Sequence, residues 1–329
     1  MADQSLARPA SGEERGQGLA GSGAEEGDRA VRSDKPAAGA ADPAAAQSGR
    51  PARRSGLSAA QSGQAVSTAG PSSGSETSLA GTSKRWTGWE IVIVLSLGLG
   101  RSAVSSILNL VNRLTVGVPL ADQTTQMNNT VTPDRPWLDL AYQVANTVFP
   151  LAHVLLALYL LHLAHGRARR LIGFDGTRLG RDLASGFIVA AAIGLPGLGF
   201  YLAARELGFN TTVAAANLTA QWWTTPALIA AALANGLVEE IVMLGYLLTR
   251  LADRGWPPWA AVALSAAIRG AYHLYQGFGG GIGNFVMGVV FACCYRRWGR
   301  VLPLVAAHTL IDIAAFVGYA ALKPHVSWL

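Results

Sequence analysis

The stretch that decides the fold is Gly236-Leu237-Val238-Glu239-Glu240-Ile241-Val242-Met243-Leu244-Gly245, which sets two adjacent carboxylates in an apolar run. That run is long enough to cross a bilayer. A charge at the centre of a membrane helix costs about 2.5–3.5 kcal/mol even on the most lenient insertion scale. The next basic residue along the chain is Arg250. The two glutamates therefore need partners from other helices.

The composition around this stretch is that of a membrane protein. Of the 329 residues, 50% are hydrophobic and 14% are charged, whereas an average soluble domain is about 25% charged. Apolar runs of about 20 residues predict an all-α, polytopic transmembrane helix bundle with about seven spans. The formal net charge of +6 does not indicate nucleic acid, because the surplus is arginine in short loops. The partners we expect are membrane lipid and a membrane-associated protein or peptide substrate, with no nucleic acid.

The composition also divides the chain into three parts. Residues 1–84 are rich in Ala, Gly, Ser and Pro and lack periodicity, so we expect a disordered low-complexity cytoplasmic tail. Residues 85–224 are predicted to hold the N-terminal transmembrane helices, and residues 225–329 the core with the two glutamates. The predicted spans lie at 91–110, 139–163, 182–203 and 226–249, followed by a fifth ending near Tyr275, a sixth reaching Tyr295 and a seventh at 301–322.

Arginine predicts the orientation. It is concentrated in alternate loops, at 167–181, at 250–254 and at 296–300. The positive-inside rule then places the N-terminus in the cytoplasm and the C-terminus outside. The bias toward Ala, Gly and Arg suggests a bacterial genome rich in GC, so we expect an integral protein of the bacterial plasma membrane.

Two later helices carry ionisable groups at membrane depth. The fifth holds Arg269 and His273, and the seventh holds His308 and Asp312; each pair is four residues apart and so shares one helix face. One glutamate and two histidines can form a three-ligand zinc site with an open position for water. Alternatively, a glutamate and a histidine can activate water directly while a second histidine and its neighbour stabilise the oxyanion.

The sequence leaves both routes open, and both lead to hydrolysis of a peptide bond inside a membrane cavity. Because adjacent glutamates on a helix cannot point the same way, we assign Glu240 to the water and Glu239 to a cation. The depth of His273 in the membrane limits how the fifth helix can run. At about 1.5 Å per residue, His273 lies about 28 Å along the helix from Arg254, too far to meet Glu240 if the whole stretch stands upright. We therefore expect the 256–259 stretch to lie along the interface and the fifth helix to start late or tilt.

The glutamate pair, the 269–273 pair and the 308–312 pair together resemble the three motifs of the CPBP family of intramembrane metalloproteases. This family comprises type II CAAX prenyl endopeptidases and bacterial Abi proteins, and its motifs are EExxxR, FxxxH and HxxxN or HxxxD. The resemblance covers residues 225–322. It implies catalytic roles for Glu239, Glu240, His273, His308 and Asp312, and a divalent metal such as zinc, if one is used, on Glu240, His273 and His308.

Two positions depart from the family pattern. The arginine of the first motif falls on Leu244, and the phenylalanine of the second falls on Arg269. Our hypothesis is that Arg269 replaces the missing cation in space and pairs with Glu239 across the fourth and fifth helices.

Two other classes of function compete with an endopeptidase. A catalytically inactive CPBP-like scaffold or immunity protein is favoured by the missing arginine at position 244. A proton-coupled transporter could use the same acids and histidines as a relay, but the sequence shows no inverted repeat.

Overall fold

The structure is a computed structural model that describes residues 73–326, with side chains from residue 85 onward. Residues 1–72, which make up most of the expected disordered tail, lie outside the described residues. Helix α1 begins at Ser73, so residues 73–84 are helical although the sequence assigned them to the tail.

The described part of the chain is helical, with one two-stranded sheet. The helices are α1 (Ser73–Leu97), α2 (Leu99–Thr115), α3 (Pro136–Val148), α4 (Leu151–His165), α5 (Ala168–Leu171), α6 (Leu179–Glu206), α7 (Thr224–Glu240), α8 (Thr249–Asp253), α9 (Pro258–Tyr272), α10 (Phe278–Trp298) and α11 (Leu302–Leu322). Strands β1 (Thr124–Gln126) and β2 (Thr212–Ala214) pair in parallel, with Thr125 opposite Val213.

Five helical stretches are long and apolar enough to cross a membrane: Pro136–His165, Leu179–Glu206, Thr224–Asp253, Phe278–Trp298 and Leu302–Leu322. A sixth results if α1 and α2, which meet at an angle of 53°, count as one bent span. The expected number of about seven is therefore too high for the described residues. The missing span is α9, whose 15 residues fall short of the about 20 that a full crossing needs. This helix starts at Pro258 and so does not start late; the alternative expectation, that it tilts, stays a prediction.

The arginine-bearing loops gather at one end of the bundle. There Arg250 contacts Glu90 of α1 and Asp253, and Asp253 also contacts His165 at the end of α4. At the same end, Arg300 contacts the 173–182 segment through two aspartates. The alternation of loops that the arginines predicted is thus present, while the side of the membrane that they face stays a prediction.

The loops without a surplus of arginine meet at the other end. Strands β1 and β2 come from the loops before α3 and α7, and Asn210 pairs with Gly277 at the end of α9. The helix α9 and the turn that follows it therefore run from the arginine-rich end to the β1–β2 end, although α9 itself is short.

The helix that carries the glutamates is central. Helix α7 continues into a π-helix, Ile241–Leu248, in which every residue is buried, and then into α8. A Cβ placed on Gly236 would lie 2.6 Å from the Thr309 hydroxyl, and one on Gly245 would lie 3.0 Å from Ile172. These glycines let other segments approach the helix closely, and the close approach to α11 brings His308 to the glutamates.

Candidate active site

Glu240 is the buried member of the glutamate pair. Its side chain has no exposed surface, and its Oε1 contacts both the guanidinium of Arg269 and, at 2.7 Å, Nδ1 of His308. Its Oε2 is also buried and has no hydrogen-bond partner among the described residues. The expectation that Glu240 faces water was therefore wrong, because the helix rotation turns it toward α9 and α11.

Glu239 is the member that reaches open space. Its side chain is 14% exposed and lines a large cavity. Its Oε2 accepts a hydrogen bond of 2.7 Å from the Tyr272 hydroxyl and lies 3.5 Å from Arg269. The predicted pairing of Arg269 with Glu239 is confirmed, but the closer contact of Arg269 is with Glu240.

Arg269 is buried between the glutamates and α10, and its Nη1 has no hydrogen-bond partner among the described residues. It is 1% exposed, and its guanidinium lies 5.5 Å from the ring centre of Phe291 on α10. That cation–π contact and the two carboxylates compensate for burying a charge. Leu244, where the family has arginine, is 1% exposed and belongs to the hydrophobic core of the π-helix. Arg269 thus supplies the cation from a different helix.

His308 and Asp312 lie together on α11, as their spacing predicted. The Nε2 atom of His308 is 3.7 Å from Asp312 Oδ1 and 4.0 Å from Glu239 Oε2. The other oxygen of Asp312 accepts a hydrogen bond of 3.0 Å from the Asn235 side chain. Asp312 is therefore oriented from α7 and faces the same cavity as Glu239.

His273 ends α9 and lines the same cavity. Its Nδ1 is 3.1 Å from the backbone oxygen of Arg269. Because a carbonyl can only accept, Nδ1 carries the proton in this bond, which leaves Nε2 of a neutral imidazole without one. The ring packs against Tyr272, with 4.8 Å between the ring centres.

The cavity has a volume of about 1560 Å³. Polar groups of α7, α9 and α11 line it together with Arg101 and three serines of α2, and α6 contributes a largely apolar face. A Cβ placed on Gly197 or Gly199 of α6 would have no heavy-atom neighbour within 4 Å outside its own helix backbone. An apolar chamber with a few convergent polar groups is the form that ligand and active sites take.

Two groups of this site were not found from the sequence. Asn235 lies four residues before Glu239, on the same helix face, and that spacing was the available signal. Tyr272 could not be found in this way, because nothing in its neighbourhood along the chain shows that its hydroxyl reaches a carboxylate on another helix.

The donor atoms can be tested against a metal ion. Glu239, Glu240 and His308 each offer a ligand atom within 4.8 Å of the others. The predicted set contained His273 in place of Glu239, so it differs from the group that the structure brings together. In both histidines Nδ1 has an oxygen partner, which leaves Nε2 available, as is usual for histidines that bind metal. With Asp312, the two glutamates make three carboxylates, and the guanidinium of Arg269 balances only one of these charges. The donor set therefore fits a divalent cation.

Comparison with known protein families finds a match over the part of the chain that carries this site. Residues 221–314 match the family described as type II CAAX prenyl endopeptidase Rce1-like. The resemblance inferred from the three motifs is confirmed, and the Rce1-like segment contains every candidate site residue from Asn235 to Asp312. No curated protein and no solved structure matches the chain.

The Rce1-like match and the apolar helices agree on the class of protein. Five stretches of membrane-spanning length and an intramembrane endopeptidase family make this an integral membrane protein. At the level of the family, the segment is that of a CAAX-type endopeptidase.

Proposed function

We propose that the protein is an intramembrane endopeptidase that hydrolyses a peptide bond of a membrane-associated protein or peptide. The observation that supports this most directly is the placement of Glu239. Its carboxylate lines an apolar cavity beside two histidines and an aspartate, where it can reach both a water and a bound peptide. The Rce1-like match supports the same class of reaction.

In this reaction Glu239 acts as the general base. It takes a proton from the attacking water and later gives that proton to the leaving amine, so one carboxylate serves both steps. His273 faces the same space and orients the water through Nε2. Arg269 and Glu240 do not touch the substrate; they fix the glutamate helix against α9.

The carbonyl oxygen becomes negative when water adds, and it needs donors on the opposite side of the peptide. His308 provides one when both of its ring nitrogens carry protons, because Nδ1 then donates to Glu240 and Nε2 to the oxyanion. Asp312, held by Asn235, keeps the His308 ring oriented.

A divalent cation is a second route within the same site. Glu239, Glu240 and His308 would hold it, and an ion bound there would supply Lewis-acid chemistry by lowering the pKa of a bound water and polarising the carbonyl. Metal analysis of the purified protein separates the routes. One equivalent of zinc in the wild type and none in His308→Ala would support the metal route; a metal-free active protein would contradict it.

The position of Arg269 beside both glutamates argues against a catalytically inactive scaffold. The loss of the family arginine at position 244 leaves no carboxylate unpaired, because Arg269 contacts both glutamates. The proposed endopeptidase therefore has a cation beside its glutamates, on Arg269 instead of position 244.

The test is cleavage of a membrane proteome, or of a model membrane peptide, by the purified protein in lipid nanodiscs. We expect new peptide ends with the wild type and none with Glu239→Gln. Glu206→Gln, which changes an exposed glutamate outside the cavity, is the matched control and should cleave normally. Cleavage that persists in Glu239→Gln would contradict the proposal, and coupled proton uptake without cleavage would indicate a transporter.

We also propose that the N-terminus faces the cytoplasm of a bacterial cell, as the arginine-rich end of the bundle suggests. An alkaline phosphatase fused after Leu329 is expected to be active, because the six candidate spans and the shorter α9 together make an odd number of passages from a cytoplasmic N-terminus. If this fusion is inactive while a fusion placed in a loop of the β1–β2 end is active, the C-terminus lies inside.

A further inference from the structure

The two oxygens of the Glu239 carboxylate have different surroundings. Oε2 accepts the Tyr272 hydroxyl at 2.7 Å and lies 3.5 Å from Arg269 and 4.0 Å from His308 Nε2. Oε1 has no hydrogen bond to any residue in the described part of the chain. All of the donors thus converge on one oxygen, and the other is left for a ligand in the cavity.

Tyr272 is itself fixed by its surroundings. It is 5% exposed, and its backbone oxygen accepts a hydrogen bond of 2.8 Å from Ser106 of α2. Its ring packs on His273, with 4.8 Å between the centres. With both the backbone and the ring held, the hydroxyl has a defined position from which it donates to Glu239.

We propose that Tyr272 is a positioning residue for the hydrolysis described above. By holding Oε2, its hydroxyl turns Oε1 toward the cavity as the oxygen that takes the proton from water. The inference rests on the proposed function. It concerns a residue of α9 at a variable position of the second motif, immediately before His273.

The first experiment compares Tyr272→Phe with Tyr275→Phe in the cleavage assay. Tyr275 lines the same cavity, but its hydroxyl contacts Gln276 and Met127 and no carboxylate. A hydrogen bond to a charged group predicts a fall in kcat of about 10- to 100-fold for Tyr272→Phe, with KM unchanged. Tyr275→Phe removes a cavity hydroxyl that has no carboxylate partner, so its kcat should stay well above that of Tyr272→Phe. An unchanged kcat in Tyr272→Phe, or a rise in KM alone, would overturn the inference.

The second experiment does not depend on proteolysis. A hydrophobic carbodiimide adds to carboxyl groups that are accessible from the apolar phase, and peptide mapping by mass spectrometry locates the adduct. We expect an adduct on Glu239 that Glu239→Gln removes. Tyr272→Phe should speed its formation severalfold, because Oε2 loses its donor, whereas Tyr275→Phe should not.

The two experiments together separate the possible failures. If the wild type cleaves nothing but Tyr272→Phe accelerates labelling, the proposed function fails while the hold of Tyr272 on Glu239 stands. If labelling of Glu239 is the same with and without the Tyr272 hydroxyl, the inference is wrong whatever the cleavage assay shows.

Discussion

Arg269 contacts Glu240 more closely than it contacts Glu239, the glutamate with which the sequence paired it. This one relationship divides the work of the two acids. Glu240 shares its Oε1 with Arg269 and His308 and joins three helices, whereas Glu239 keeps an oxygen for the cavity. Glu239 is therefore available to react with a ligand in the cavity, and Glu240 holds the three helices together.

This division predicts different effects of two neighbouring substitutions. Glu239→Gln should lower the cleavage rate by about 10²–10⁴-fold, the contribution of a positioned general base, with little change in thermal stability. Glu240→Gln should instead destabilise the fold by about 3–5 kcal/mol, because it breaks a buried charge pair. Both effects are measured by the cleavage assay and by thermal unfolding in nanodiscs. Equal loss of stability in the two variants would contradict the division.

The contact between Arg269 and Glu240 predicts strong coupling. Arg269→Met leaves two carboxylates without their cation and should be destabilising by about 3–5 kcal/mol. In the double variant Arg269→Met/Glu240→Gln, part of that loss should be recovered, with an interaction energy of about 1–3 kcal/mol. Additive losses in the double-mutant cycle would show that the two side chains do not interact.

The contact between Glu90 and Arg250 predicts that α1 is attached to the glutamate helix. Arg250 donates to both oxygens of Glu90, and Tyr246 of the π-helix donates to Oε1 at 2.9 Å. Glu90→Gln should therefore cost about 1.5–3 kcal/mol of stability. Glu206→Gln is the control, because Glu206 is 75% exposed and exposed pairs contribute about 0–1 kcal/mol. Equal unfolding temperatures for both variants would refute the attachment.

The cluster around Arg300 predicts a dependence of stability on pH. The hydrogen bond from Arg300, with those from Thr177, lowers the pKa of Asp175 below its usual range. A carboxyl whose pKa is lower in the folded protein stabilises it above the unfolded pKa of about 3.9, and this contribution disappears as the pH falls further. Asp175→Asn should thus lower the unfolding temperature at pH 7 and reduce its dependence on pH between 5 and 3. A variant with the wild-type profile would contradict this.

Much of this arrangement could be predicted from the sequence. Apolar length and arginine placement are properties of short segments, so they gave the helical membrane bundle and the alternation of its loops. The four-residue spacings of Arg269 with His273 and of His308 with Asp312 place each pair on one helix face in any packing. Those pairs and the glutamates therefore sufficed to suggest the family.

The tertiary structure decided the rest. The rotation of α7 against α9 and α11 decides which of the two adjacent glutamates faces the cavity. This rotation cannot be derived from the sequence. The contact from Tyr272 to Glu239 joins positions on different helices, and so does that from Asn235 to Asp312. By itself, the sequence determined that two buried acids need a cation and two histidines; only the packing of the helices determined which oxygen each of those groups would hold.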